Sequence, residues 1–166
     1  VVADEIHVVR EFLEILKQEF KGEEYTRHLE SRVRDEGYVS FGIPGGATTL
    51  MAAMMTASPE VVLMLIESGA NVESVDVMGN DGFMYASVYG RPKNLQLWLE
   101  RVKNCDLNRK NTVLGGCALG HAVYMGGNKL ETVKVLLNSS ASLEYRTFSG
   151  GSALTNAVSN EDSDPD

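Results

Sequence analysis

One short pattern of small and apolar residues recurs four times along the chain. It is centred first on Leu50, in GATTLMAA, and its counterparts are centred on Phe83, Leu119 and Leu154, at intervals of 33, 36 and 35 residues. A nearly constant interval of this length indicates copies of one supersecondary unit that stack side by side. A single unit is too thin to bury its apolar face alone, so the recurrence predicts an array in which neighbours supply the core.

Each of the first three starts leads into an apolar stretch and then a polar turn. The stretches read VVLMLI, LQLWL and VKVLL, and the turns read SGANVESVD, NCDLNRKN and SSASLEYRT. The apolar residues have helical rather than alternating spacing, which predicts a helix-turn-helix-loop unit. Alanines recur on the first helix of each unit, where they keep that helix thin enough for close stacking. They are Ala53, Ala86, Ala122 and Ala157.

The first unit resembles an ankyrin repeat. Its letters GATTLMAAM, followed by VVLMLIESGANVESVD, are similar to the family pattern G-x-T-P-L-H-x-A-A with V-x-x-L-L-x-x-G-A-x-x-x-x-x-D. The four starts read TTLM, DGFM, CALG and SALT in place of T-P-L-H, and His121 lies one place beyond the family's histidine. The resemblance implies a mainly α fold, an ankyrin-type helical solenoid over residues 43–160. The predicted repeats are 43–75, 76–111, 112–146 and a partial repeat at 147–160.

Segments outside the array are predicted to cap it. Residues 1–42 are expected to form an N-terminal helical cap and connector, and residues 161–166 an acidic tail. A helix at 3–21, ended by Gly22, would place five apolar side chains on one face. That face could cover the first repeat, as terminal units require, or form a two-heptad seam for self-association with a second chain. The cap is the preferred interpretation. The five are Ile6, Val9, Leu13, Leu16 and Phe20.

The charge balance excludes two classes of partner. A net charge of −8 and a pI near 4.9 argue against nucleic acid and against an anionic membrane surface, since both attract basic proteins. No apolar run approaches the roughly 20 residues of a membrane span, so no membrane insertion is expected. Cys105 and Cys117 are predicted to be reduced thiols, which together with these features predicts an intracellular, cytoplasmic protein. Because the chain starts on Val1, we expect a fragment or processed form of a longer protein.

Catalytic and cofactor motifs are missing from the sequence. It contains no H-E-x-x-H, C-x-x-C, G-x-S-x-G or phosphate-loop pattern. His7 and His28 are predicted to lie at the surface, and His121 to be a hydrogen-bonded structural residue. The sequence therefore predicts that the chain is not an enzyme and that it holds no cofactor or metal.

The family resemblance implies where a partner would bind. In ankyrin arrays the loop tips and the inner helices line a concave face, and transferring that pattern marks mostly apolar and aromatic residues here. Such residues favour an interface when they are exposed together, although some could instead pack into neighbouring loops. Tyr89 and Tyr124 are the predicted central anchors. The candidate residues are Met55, Val77, Met78, Asn80, Val88, Tyr89, Val113, Leu114, Tyr124, Met125 and Phe148.

The predicted function is protein–protein interaction, with the chain acting as a scaffold or adaptor for a protein partner. The alternative is a regulatory or targeting segment of a larger multidomain enzyme or channel, with the chemistry outside these residues.

Overall fold

The computed structural model describes residues 2–33, 45–124 and 129–159. Within those ranges the chain is helical, and its extended pairing is limited to one antiparallel bridge between Arg32 and Thr48. The predicted connector and acidic tail fall largely or wholly outside them. In chain order the helices are α1 Val2–Glu19, α2 Gly22–Leu29, α3 Thr49–Thr56, α4 Pro59–Glu67, α5 Gly82–Val88, α6 Pro92–Arg101, α7 Ala118–Tyr124, α8 Lys129–Asn138 and α9 Ala153–Val158.

The helices after α2 stack as repeated pairs. The inner helices α3, α5, α7 and α9 pack one against the next, and the outer helices α4, α6 and α8 do the same. Leu50, Phe83, Leu119 and Leu154 each occupy the second position of an inner helix. The mainly α, ankyrin-type helical repeat is therefore confirmed. The helix pairs lie within the predicted repeat spans, while the boundaries of those spans stay predictions.

Side-chain caps explain where the inner helices begin. Thr48 Oγ1 accepts a hydrogen bond from the Met51 amide at the start of α3. Asp81 Oδ1 does the same for the Met84 amide of α5 at 2.8 Å. These oxygens satisfy amide groups that the first helical turn leaves without a partner. The outer helices α4 and α6 instead have proline in their first turn, where a missing amide costs nothing.

The core runs along the interface between inner and outer helices. Leu50, Phe83 and Leu119 are buried there, and Ala86 and Ala122 have no exposed surface, which lets successive inner helices approach closely. The fourth unit differs. Leu154 occupies the equivalent place on α9 but is 73% exposed, because no outer helix follows α9 in the described part of the chain.

Helix α1 covers the first repeat. Leu13 and Leu16 are buried, Ile6 and Val9 pack against the same core, and α1 contacts α4. The predicted apolar face is thus used within the chain as a cap. The predicted helix end is wrong by a few residues: α1 stops at Glu19, and Gly22 begins α2 instead of ending α1.

Helix α2 is tied to the first repeat by polar contacts. The Tyr25 hydroxyl donates to the Ser68 carbonyl at 3.0 Å. Just beyond the helix, the Glu30 carboxylate accepts from the Asn71 amide at 2.7 Å and from the Ser74 hydroxyl at 3.1 Å. Helix α2 and the residue after it are therefore bonded to the loop that follows α4.

Candidate partner-binding groove

The loops that precede α5, α7 and α9 are closed by the same kind of contacts, and the loop before α7 is one residue longer than the other two. Each is closed by a backbone hydrogen bond of 2.9 Å, and in each a polar side chain at the first position accepts further amides of the same loop. Side-chain bonds of this kind hold a loop in a single shape. The loop tips are therefore fixed relative to the helices that follow them. The closing pairs, donor first, are Asp76 and Asn80, Asn111 and Gly116, and Thr147 and Gly151.

A buried polar network joins the loop before α5 to the loop before α7. Asp76 accepts hydrogen bonds from the Tyr85 hydroxyl and from Asn80 Nδ2. Asn80 Oδ1 accepts from Asn111 Nδ2 at 3.0 Å, and Asn111 Nδ2 also lies 3.4 Å from His121 Nε2. Buried polar groups are stabilising only when they are paired, so this chain of partners favours one arrangement of the two loops.

The same network sets the protonation of His121. Asn111 Oδ1 accepts from the Leu114 and Gly116 amides, so the other end of that amide must be the donor that faces His121. Nε2 of His121 is therefore the acceptor, and its ring is neutral. Burial lowers the pKa of His121, and the negative charge of Asp76 opposes this effect only in part.

Backbone bonds align successive loop tips. The Thr112 amide donates to the Met78 carbonyl, and the Phe148 amide donates to the Leu114 carbonyl, both at 2.9 Å. Gly115 has φ of +66°, a conformation that favours glycine, and a Cβ there would lie 2.8 Å from the Phe148 ring. Phe148 is thus seated on the previous loop while most of its ring faces outward.

These contacts bring four of the predicted residues around one groove of about 360 Å³. Val113 and Leu114 come from one loop, Phe148 from the next, and Tyr124 from the end of α7. All four are exposed, and Phe148 is 68% exposed. Large apolar and aromatic side chains in one exposed cluster are typical of interaction sites.

The other predicted residues have three different outcomes. Val77 and Tyr89 are exposed, and Met78 and Val88 are half-buried, but none of them lines this groove. Met125 lies outside the described residues. Met55 and Asn80 are buried.

Met55 and Asn80 are not available to a partner. The expectation that Met55 faces outward is wrong: it is 3% exposed and clusters with Ala47, Met51 and Tyr85, because its long side chain reaches the neighbouring inner helix. Asn80 is 9% exposed, and its amide is used in the network between loops.

The structure adds lining residues that the sequence analysis missed. They include His121 and Asn156, which lie at equivalent places on α7 and α9, and Gly120, where a Cβ would be 2.7 Å from the Tyr145 hydroxyl oxygen. The repeat itself carried the signal, since Tyr85, His121 and Asn156 are spaced at 36 and 35 residues. Aligning the units at polar as well as apolar positions would have identified His121 and Asn156, but not Gly120.

No three His, Cys, Asp or Glu side chains come together as a metal site in residues 2–33, 45–124 and 129–159. Cys105 and Cys117 are both free thiols, as predicted, and burial raises the pKa of each. Over the same ranges, no helix combines the length and apolar character needed to cross a bilayer.

Comparison with known proteins supports the class that the fold defines. The ankyrin repeat family model matches residues 45–77, which span the turn before α3, both helices of the first pair and the loop after them. This match supports the predicted resemblance of the first repeat to the ankyrin repeat family. No curated protein matches the chain. An ankyrin repeat suggests a protein–protein interaction module, and the exposed apolar groove is consistent with that class.

Proposed function

We propose that this chain is a scaffold or adaptor that binds a protein partner on the concave face formed by its loop tips and inner helices. One observation carries the proposal. Leu114, Tyr124 and Phe148, from two loops and one helix, stay exposed around a shared groove, whereas most other large apolar residues of the repeats are buried or half-buried. Tyrosine and phenylalanine are enriched at protein interfaces, where a few central residues supply most of the binding energy.

The rigidity of the loops supports the same function. The amide of Phe148 is bonded to the Leu114 carbonyl, and the Leu114 amide is bonded to buried Asn111. A groove whose walls are already held in place loses little conformational freedom on binding, so more of the contact energy appears as affinity.

Tyr89 and Val77 extend this surface toward the second repeat. Both are exposed. Val77 lies in the loop before α5 as Val113 does before α7, and Tyr89 directly follows the last residue of α5, whereas Tyr124 is the last residue of α7. In this proposal the groove is the centre of the interface, with Tyr124 as an anchor and Tyr89 at its margin. We propose no catalytic step for this chain. We propose the cytoplasm as its location.

Charge reversal at one leucine tests the proposal. Leu114 is 58% exposed and lines the groove, whereas Leu143 is 59% exposed and does not line it. We expect Leu114→Asp to weaken the affinity for a purified partner by about tenfold or more, because an unpaired carboxylate would enter the apolar contact. Leu143→Asp should bind that partner as the unchanged protein does.

Partners are first identified by affinity capture from cell extract with quantitative mass spectrometry, and their Kd values are then measured with purified proteins. Circular dichroism and thermal melting establish that both variants keep the fold. Partners whose affinity is the same for all three proteins, and also for Phe148→Asp, would show that the groove is not the binding site.

A further inference from the structure

Within the described ranges, the inner helices and the loop tips before α5, α7 and α9 have no side chain with a full charge. The inner helices α3, α5, α7 and α9 contain no Asp, Glu, Lys or Arg, and neither do loop tips 77–80, 112–116 and 147–151. The outer helices all carry such residues, for example Glu67, Arg101 and Lys134. In a chain with 15 basic and 23 acidic residues, the charges are thus separated from these helices and loop tips.

We infer that the groove binds an uncharged protein segment that inserts an aliphatic or aromatic side chain between Leu114, Tyr124 and Phe148. This inference rests on the proposed function and adds the chemistry of the partner. A charged side chain placed there would lose part of its hydration and find no opposite charge among the lining residues, which disfavours its binding. An apolar side chain would bury surface on both partners at no such cost.

The size of the groove fits one anchoring side chain and its neighbours. Its volume of about 360 Å³ lies at the small end of the range for ligand cavities, so it suits part of a peptide. Thr147, Ser149 and Asn156 line it with hydroxyl and amide groups. Neutral donors and acceptors of this kind can pair with the backbone of a segment whose side chain occupies the apolar part.

His121 also leaves the groove uncharged. Its Nε2 accepts from Asn111, as shown above, and burial lowers the pKa of the ring. The imidazole is therefore neutral at pH 7, and it contributes polarity without a positive charge.

The charged residues in the stretch 109–159, which contains the lining of the groove, are mainly basic: five are basic and two are acidic. This local balance gives no attraction for a basic segment. A segment rich in Asp or Glu is the charged competitor that this surplus would favour, and the experiment below distinguishes it. The charged residues in that span are Arg109, Lys110, Lys129, Glu131, Lys134, Glu144 and Arg146.

A peptide selection tests the inference directly. The unmodified full chain is immobilised, and a phage library of random peptides of roughly 12 residues, long enough to cross the face, is selected against it. We expect enriched peptides to share an aliphatic or aromatic residue flanked by uncharged residues. Their Kd should change less than about twofold between about 50 and 500 mM NaCl, because no charges interact across the contact.

The same leucine pair locates the site. Leu114→Asp should weaken the affinity for the selected peptides by about tenfold or more, and Leu143→Asp should leave that affinity unchanged. Peptides with acidic or basic anchors whose groove binding falls steeply with salt would overturn the inference and leave the proposed function standing. If the selected peptides bind Leu114→Asp and Phe148→Asp as tightly as the unchanged protein, the proposed function is overturned as well. The same holds if the selection enriches no peptide.

A second copy of the chain is the remaining occupant to test. We expect light scattering over a range of protein concentrations to show no dimer that depends on Leu114. If the unchanged protein forms a dimer and Leu114→Asp dissociates it, the groove is covered by self-association, and the inference is wrong.

Discussion

Asn111 Nδ2 lies 3.0 Å from Asn80 Oδ1, and this bond joins the loop before α5 to the loop before α7. The same Asn111 side chain accepts the amides of Leu114 and Gly116 through its other end. One buried amide therefore shapes a loop, attaches it to its neighbour and supports the wall of the groove. Fold and candidate site depend on the same contact.

Removing that amide should destabilise the array. Asn111→Ala leaves Asn80 Oδ1 and two loop amides without partners inside the protein, so we expect a loss of about 2–3 kcal/mol in the free energy of unfolding. Asn108→Ala is the matched control. Asn108 is exposed and accepts a single amide, that of Ser142 at 2.8 Å, so its loss should be below about 1 kcal/mol. Urea denaturation measures both, and equal losses would contradict the role of burial.

Acid should weaken the fold through His121. Burial lowers the pKa of this histidine in the folded protein below its ordinary value of 6.5. The unfolded chain therefore takes up the proton first, and the contribution to stability is complete above pH 6.5 and declines as the pH falls from there toward the lowered folded pKa. Protonated Nε2 would also face the Asn111 donor, so the hydrogen bond would be lost.

The variant His121→Gln isolates this effect. Its amide oxygen can accept from Asn111 but does not titrate, so the fall in stability between about pH 7.5 and 5.5 should be smaller than in the unchanged protein. Asp81, whose pKa is raised by desolvation, titrates equally in both proteins and cancels in the comparison. Parallel curves of unfolding free energy against pH would contradict the assignment.

Equivalent leucines in two repeats should differ greatly in their importance. Leu119 and Leu154 both occupy the second position of an inner helix, but Leu119 is 1% exposed and Leu154 73%. We expect Leu119→Ala to cost about 2–5 kcal/mol of unfolding free energy, because it leaves a cavity in the core. Leu154→Ala should cost less than about 0.5 kcal/mol. A large loss at Leu154, measured by the same urea titration, would mean that something covers α9.

Alanine at Gly120 should destabilise the protein despite its position in a helix. In an exposed helix this change stabilises by up to about 1 kcal/mol. Here the new Cβ would lie 2.7–2.8 Å from the hydroxyl end of Tyr145, so we expect a net loss of about 1–3 kcal/mol. In a Tyr145→Ala background the same change should become neutral or stabilising. Thermal melts of the double-mutant cycle test this, and no coupling between the sites would contradict it.

Much of the fold could be predicted because its signals are local. Intervals of 33 to 36 residues and helical spacing in VVLMLI, LQLWL and VKVLL define the helix pairs before any packing is known. The exposure of Leu114 and Phe148 could also be anticipated, since apolar residues at a loop tip have no helix face to join. The burial of Met55 could not, because it depends on how far a flexible side chain reaches toward Tyr85.

By itself, the sequence determined that helix pairs recur, how many follow one another, and that an apolar helix precedes them. Only the tertiary structure decided that Asn80 and His121 belong to one buried network, that Leu154 stays uncovered, and that Phe148 rests on Gly115 to form a groove. The physical reason is the range of the interactions. Periodicity acts within a single helix, whereas burial and polar pairing arise between repeats that are more than thirty residues apart in the chain.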